Sequence, residues 1–151
     1  MKKLILIDNG HGENTPGKCS PDKTLREYAW ARDIAARIER DLKARGYQAE
    51  RIVREDTDTS LGERCRRVNH FCDRFGKENV LLVSIHSNAA GADGKWKTAG
   101  GWCVYTSPGQ TKADELATCL FEAAKNDLAG YISQFPINKS LGKYDSRQTP
   151  L

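Results

Sequence analysis

At 151 residues with a net charge of +4, the chain is one domain's worth of sequence, long enough to bury a core. With 38% hydrophobic and 29% charged residues it reads as soluble and globular, and no run approaches the ~20 apolar residues of a membrane span. The positive charge is diffuse, with no Lys/Arg tract interleaved with aromatics, so nucleic acid is not an expected partner.

The N-terminus, Met1-Lys2-Lys3 and then Leu4 to Ile7, only superficially resembles a signal peptide. The apolar run is too short, Asp8 interrupts it, and no small-residue cleavage site follows. Residues 3–8 instead predict a buried strand. Residues 9–23 form a long loop rich in Gly, Pro, Asn and Asp. Residues 25–45 predict a helix, with Leu25, Tyr28, Ala31, Ile34, Ala35, Ile38 and Leu42 at helical spacing and Gly46 as the stop. Residues 47–53 make a second strand. Ser60 caps a helix over 61–75, with Glu63 completing a capping box. Residues 79–86 are a third strand, a Gly/Ala-rich loop covers 89–100, and 101–106 are a fourth strand. A helix over 110–129 follows, with Leu116, Leu120, Ala124 and Leu128 inward. This alternation, with continuously apolar strands, predicts an α/β fold: a single domain over 1–151, its sheet mostly parallel with helices on both faces. There is no internal repeat, low-complexity segment or linker.

Five cysteines, Cys19, Cys65, Cys72, Cys103 and Cys119, make an odd count with no paired short spacing, unlike a disulfide framework. Cys65, His70 and Cys72 fail as a metal set on helix geometry. At about 100° per residue, Cys65 and Cys72 share a face and His70 lies more than about 90° away. The two cysteines fall in register with Leu61, Val68 and Phe75, so they are expected in the core, with His70 in solvent.

The chemistry gathers elsewhere. His11 and His86 stand just past the ends of two apolar strands, and α/β sheets bind ligands outside the carboxyl ends of their strands. The long loop after His11 ends at a helix whose first turn carries Glu27, and that turn should lie near the same edge. Two histidines and a carboxylate leave one position open, as in a catalytic zinc site. Bland readings stand beside this one. Thr24-Leu25-Arg26-Glu27 also matches a capping box, in which Glu27 only satisfies the helix start. His11 could simply bond the backbone between two glycines, and His86 a carbonyl at its strand end.

At these residues the sequence resembles a known family. Ile7-Asp8-Asn9-Gly10-His11-Gly12, Arg26-Glu27 and Ser84-Ile85-His86-Ser87-Asn88-Ala89 are similar to the zinc-dependent N-acetylmuramoyl-L-alanine amidases of the amidase-3 type, found in bacterial cell-wall remodelling and in phage lysins. Ser60-Leu61 with Glu63-Arg64, Asn69, and Gly100-Gly101 with Val104-Tyr105 are further matches, and the likeness runs from residue 4 to about residue 120. It implies a phosphorylase/hydrolase-like fold and a Zn2+ ion bound by His11, Glu27 and His86, favouring Glu27 as ligand over cap. It also implies peptidoglycan as the partner and hydrolysis of the amide between N-acetylmuramic acid and L-alanine. Action would be at the cell wall, in the periplasm or outside the cell, or as a lysin made in the cytoplasm.

The chain departs from the family in one respect. The family's catalytic glutamate lies on a late strand, after a helix matching 110–129, whereas residues 130–151 hold no glutamate and one acid, Asp145. The chain is therefore read as truncated at its C-terminus, lacking its last strand, with an apolar edge that invites self-association. Glu13 on the His11 loop is the candidate substitute proton carrier, and its plainer reading as a solvated loop acid is the favoured one. Zinc-dependent hydrolysis of the muramic acid–alanine amide leads as the function, with weak or no turnover expected where the family's catalytic glutamate is missing. A non-catalytic wall-binding or regulatory module and another type of zinc metallopeptidase are the alternatives, the latter without a His-Glu-x-x-His motif.

Overall fold

Strand β1 (Leu4–Asn9) is the middle of a three-stranded sheet because both its faces are apolar: Leu4, Leu6 and Ile7 are buried, Leu6 and Ile7 almost completely. Strand β2 (Gln48–Arg51) pairs on one side and β3 (Val80–Ile85) on the other, both parallel, giving the order β2-β1-β3. The computed structural model describes residues 3–87, 93–97 and 102–132. The Asn88-Ala89 end of the second histidine stretch, most of the expected 89–100 loop, Gly100-Gly101 and the tail with Asp145 lie outside them. The chain divides into two compact units, Met1–Gly94 and Lys95–Leu151.

In the first unit, helix α1 (Glu27–Ala44) connects β1 to β2 and packs on both, and α2 (Leu61–Phe75) leads through a 3-10 turn (Lys77–Asn79) to β3. The β1-to-β2 and β2-to-β3 crossovers run in opposite directions across the sheet, so right-handed connections put the helices on opposite sheet faces. This is the expected α/β arrangement. On one face Leu4, Leu6, Ile52 and Val53 meet Val68, Phe71 and Phe75 of α2. On α1, small residues make the close contact: Ala31 and Ala35 are fully buried, while Ile38 of the predicted stripe is exposed. Leu25 precedes the helix and is exposed.

The cysteine expectation for α2 is corrected. Cys65 is exposed, Cys72 half-buried, and Leu61 is 80% exposed. The inward stripe is Arg64-Val68-Phe71-Phe75, turned by about one residue from the predicted one. The reason is polar: Arg64 is itself buried, with its guanidinium at the carboxyl end of β1. The predicted capping box at this helix is half made. Ser60 Oγ accepts the Glu63 amide (3.3 Å), but the Glu63 carboxylate accepts from Arg66 and Arg67 instead.

In the second unit, α3 (Lys112–Asp127) and a further turn (Ala129–Ile132) fall within the predicted helix and just beyond it. The expected fourth strand is not formed at 102–106 among the described residues. An extended segment becomes a strand by ladder pairing. Here side chains tie the segment to α3 instead, Trp102 against Phe121 (ring centroids 6.0 Å apart) and Thr106 Oγ1 donating to Asp114 (2.7 Å).

A polar stitch joins α1 to β2. Buried Glu39 accepts from Lys43 (2.9 Å), Arg51 (2.7 Å) and Arg54 (2.9 Å). Burial opposes its ionisation, but the three donors outweigh that and hold its pKa at about 2, below the ordinary 4.5. The depressed value means the stitch stabilises the fold above about pH 4.5 and fades as the pH falls from 4.5 towards 2. Glu39→Gln is expected to cost about 1–2 kcal/mol at pH 7, discounting for the half-exposed partners. In urea titrations the gap between wild type and variant should narrow at pH 3; an undiminished gap there contradicts the assignment.

Candidate metal centre

The parallel register decides what meets at the sheet edge. Asn9 is the partner of Ile85, and the Gly10 amide donates to the Ile85 carbonyl (3.0 Å). His11 follows Asn9 by two residues and His86 follows Ile85 by one, so the two imidazoles emerge together, centroids 4.9 Å apart and nearly perpendicular. Gly10 makes room for this: a Cβ on it would lie 2.3 Å from Cε1 of His86.

Residues between β1 and α1 fold back on themselves. Cys19 and Arg26 form an antiparallel bridge, and Asp22 accepts from Ser20 and Thr24. The Glu27 amide donates to the Lys18 carbonyl (3.1 Å), which starts α1 at Glu27 itself. The capping-box reading of Glu27 therefore gives way. Thr24 lies outside the helix, bonded to Asp22, and Arg26 supplies no side-chain cap. The buried Glu27 carboxylate turns to the sheet edge. Its Oε1 lies 3.1 Å from His86 Nδ1 and 3.4 Å from His11 Nε2, and accepts the Ser87 amide (3.0 Å). One ligand atom from each of His11, Glu27 and His86 lies within 4.8 Å of the others.

Electrostatics keep His11 a neutral donor. Burial lowers its pKa below 6.5, against the raising effect of Glu27 and with help from His86 and Lys18. The donor set fits zinc on chemistry and, for Glu27 with each histidine, on spacing. Imidazole and carboxylate donors ~2.0–2.2 Å from a tetrahedral ion stand about 3.4 Å apart, close to the two separations from Glu27 Oε1. The same set accepts neighbouring divalent metals.

Glu13 is not in this cluster. It is exposed on the His11 loop, where its amide donates to the Asp56 carbonyl (2.8 Å) and its carbonyl accepts from Arg26 (2.7 Å). His70 is exposed on α2, as expected.

The sequence reading assigned no role to the groups that hold the site. Arg32 of α1 and Arg64 of α2 are both buried, and both donate to the His11 carbonyl, at 3.0 and 3.4 Å. Arg64 also pairs with Asp8 and donates to the Asn9 carbonyl (2.8 Å), while Asp8 accepts from Ser84 of β3 (2.8 Å). The Asn9 side chain is fully buried, and neither amide atom finds a partner among the described residues. One signal for Arg64 was available: it stands at helical spacing with Val68, Phe71 and Phe75.

The sequence profile described as N-acetylmuramoyl-L-alanine amidase matches residues 5–146. Two solved structures share the fold. One is the catalytic domain of CwlV, an N-acetylmuramoyl-L-alanine amidase from Bacillus (Paenibacillus) polymyxa var. colistinus, with a TM-score of 0.58 and 19% identity over 80% of this chain and 61% of that one. The other is the CwlD amidase from Clostridioides difficile in complex with the GerS lipoprotein, with a TM-score of 0.61 and 22% identity over 83% of this chain and 66% of that one. This chain thus spans under two thirds of the length of either. No curated protein sequence matches it significantly. No helix among the described residues is long and apolar enough to cross a membrane.

Proposed function

The chain belongs to the N-acetylmuramoyl-L-alanine amidase family, and we propose that it hydrolyses the amide joining the lactyl group of N-acetylmuramic acid to L-alanine of the peptidoglycan stem peptide, using zinc held by His11, Glu27 and His86. The observation that carries this reading is the convergence of those three side chains at the end of the sheet. Such a protein acts at the cell wall, in the periplasm or outside the cell, or as a lysin made in the cytoplasm.

A bound zinc ion would supply Lewis acidity towards the scissile carbonyl and towards a water molecule. The chain supplies the rest. His11 stays neutral through burial and is available as a donor at neutral pH. Glu27 brings the negative charge, held in place by the Ser87 amide. His86, with a side chain 47% exposed, leaves the site open towards solvent, as a polymeric substrate requires. Hydrolysis also needs a group that takes a proton from water and returns one to the departing amine. Glu13, on the loop that carries His11, is proposed for that step.

One observation favours a second reading. Among the described residues the cluster contains one acid, Glu27, and as a ligand it is not free to carry protons. A zinc-loaded wall-binding module is the reading that follows from it. The test is digestion of purified peptidoglycan by the zinc-loaded chain, followed by end-group analysis. The amidase reading expects free L-alanine amino groups on intact stem peptides, suppressed by a chelator, with Glu13→Gln lowering the rate about 100-fold or more and leaving zinc content unchanged. Zinc binding with no release contradicts it in favour of the binding module. Cleavage inside the stem peptide contradicts it in favour of another zinc peptidase.

A further inference from the structure

His11 is held in an unusual way. Its φ of +58° lies in the left-handed region, which costs a non-glycine residue roughly 1–2 kcal/mol, so its surroundings must impose it. Two guanidiniums from different helices converge on its carbonyl, Arg32 Nη1 at 3.0 Å and Arg64 Nη2 at 3.4 Å. Each is anchored independently. Arg32 also donates through Nε to the Glu55 carbonyl (2.9 Å) and through Nη1 to the Tyr28 carbonyl (3.2 Å). Arg64 also donates through Nε to the Thr59 carbonyl (2.7 Å) and through Nη1 to the Asn9 carbonyl (2.8 Å).

Arg64 reaches the second histidine strand as well. It pairs with Asp8, whose other carboxylate oxygen accepts from Ser84, two residues before His86. A buried guanidinium is expensive to desolvate, and a buried ion pair is weak evidence of stabilisation. The planar fork of arginine suits several carbonyls fixed at once, which a lysine ammonium does not.

We propose that Arg32 and Arg64 are positioning residues for the candidate metal ligand His11, clamping its carbonyl from two helices so that the imidazole faces Glu27 and His86. The proposal rests on the zinc reading above for its consequence, but the clamp itself is a property of the metal-free chain. It acts on affinity as groups outside a metal's ligand set do, by fixing the orientation of a ligand, an effect typically of 10- to 100-fold.

The experiment compares wild type with Arg32→Met, Arg64→Met and Arg51→Met. Arg51 is the control because it donates to Glu39 (2.7 Å) in the stitch between α1 and β2, and its removal costs stability away from His11. Zinc affinity is read by chelator competition on folded protein. The metal-free state is read from the Cε1–H resonances of the three histidines, with exposed His70 as internal reference. The clamp predicts zinc affinity about 10- to 100-fold weaker in Arg32→Met and Arg64→Met, a changed visible spectrum of the cobalt-substituted protein, and a displaced metal-free His11 resonance beside an unmoved His70. Arg51→Met keeps wild-type affinity despite a lower melting temperature. Should Arg64→Met fail to fold, Arg32→Met and the shorter, neutral Arg32→Gln carry the test. Folded variants with wild-type affinity and an unmoved His11 resonance overturn the clamp. Wild type that takes up no zinc, with the His11 resonance displaced in the variants, overturns the zinc reading and supports the clamp.

Discussion

Glu27→Gln is expected to weaken zinc binding on the order of 100-fold or more, while the fold stays intact. The carboxylate is the hub of the cluster: one oxygen faces both imidazoles and the Ser87 amide. Glutamine keeps the shape and can still accept the Ser87 amide, so the variant removes charge and little else. The carboxylate supplies all the anionic character of the ligand set, and a divalent ion held without it loses the largest Coulombic contribution at a buried position. Helix α1 begins at Glu27 with no side-chain cap to lose, so far-ultraviolet circular dichroism should match wild type. Chelator competition checks the affinity. Equal affinities in variant and wild type would mean that Glu27 is no ligand and sits at the edge only to hold Ser87 and His86.

The second large effect comes from two glycines that differ in what they touch. Alanine at position 10 would put its Cβ 2.3 Å from Cε1 and 2.5 Å from Nδ1 of His86, closer than van der Waals contact allows. The half-exposed ring can swing away, and in doing so it leaves Glu27. Gly10→Ala should therefore abolish most zinc binding at a small cost in stability. Alanine at position 12 would meet backbone: Asp58 N at 2.0 Å and Asp58 Cα at 2.3 Å. There the His11 loop lies against the loop before α2, joined by Glu13 N to Asp56 O and by Asp58 N to Asn14 Oδ1. Backbone cannot swing aside, so Gly12→Ala should cost about 2–4 kcal/mol by forcing the loops apart. Thermal melting and zinc titration of both variants separate the cases. Wild-type zinc affinity in Gly10→Ala, or a wild-type melting temperature in Gly12→Ala, contradicts these close approaches.

Much of this was legible from residue order. Apolar runs at 4–7 and 80–85 specified strands, the first buried and the second only half-buried with Leu82 exposed, and once those strands pair in parallel the histidines behind them must share an edge. Helix α2 was placed over 61–75 from its Ser60 cap, and the structure ends it there with Gly76 at a φ of 82°. Three features were hidden for physical reasons. The faces of α1 and α2 were read as apolar stripes, but buried Arg32, Glu39 and Arg64 occupy inward positions, and hydropathy counts such residues as exposed. The start of α1 was ambiguous because Thr24-Leu25-Arg26-Glu27 has the spacing of a capping box. Asp22 decided otherwise by capturing Thr24 in a local turn. The segment at 102–106 has strand-like composition, yet strand formation depends on a ladder partner that composition does not report.

The central claim is that His11, Glu27 and His86 form one zinc site. Zinc per chain, measured by elemental analysis after equilibration with excess metal and gel filtration, tests it most directly in wild type against His86→Ala. His86 is half exposed and its side chain lies outside the core, so its loss should leave a folded protein. One zinc per wild-type chain and almost none in the variant is the predicted result. Equal zinc in both would contradict the site.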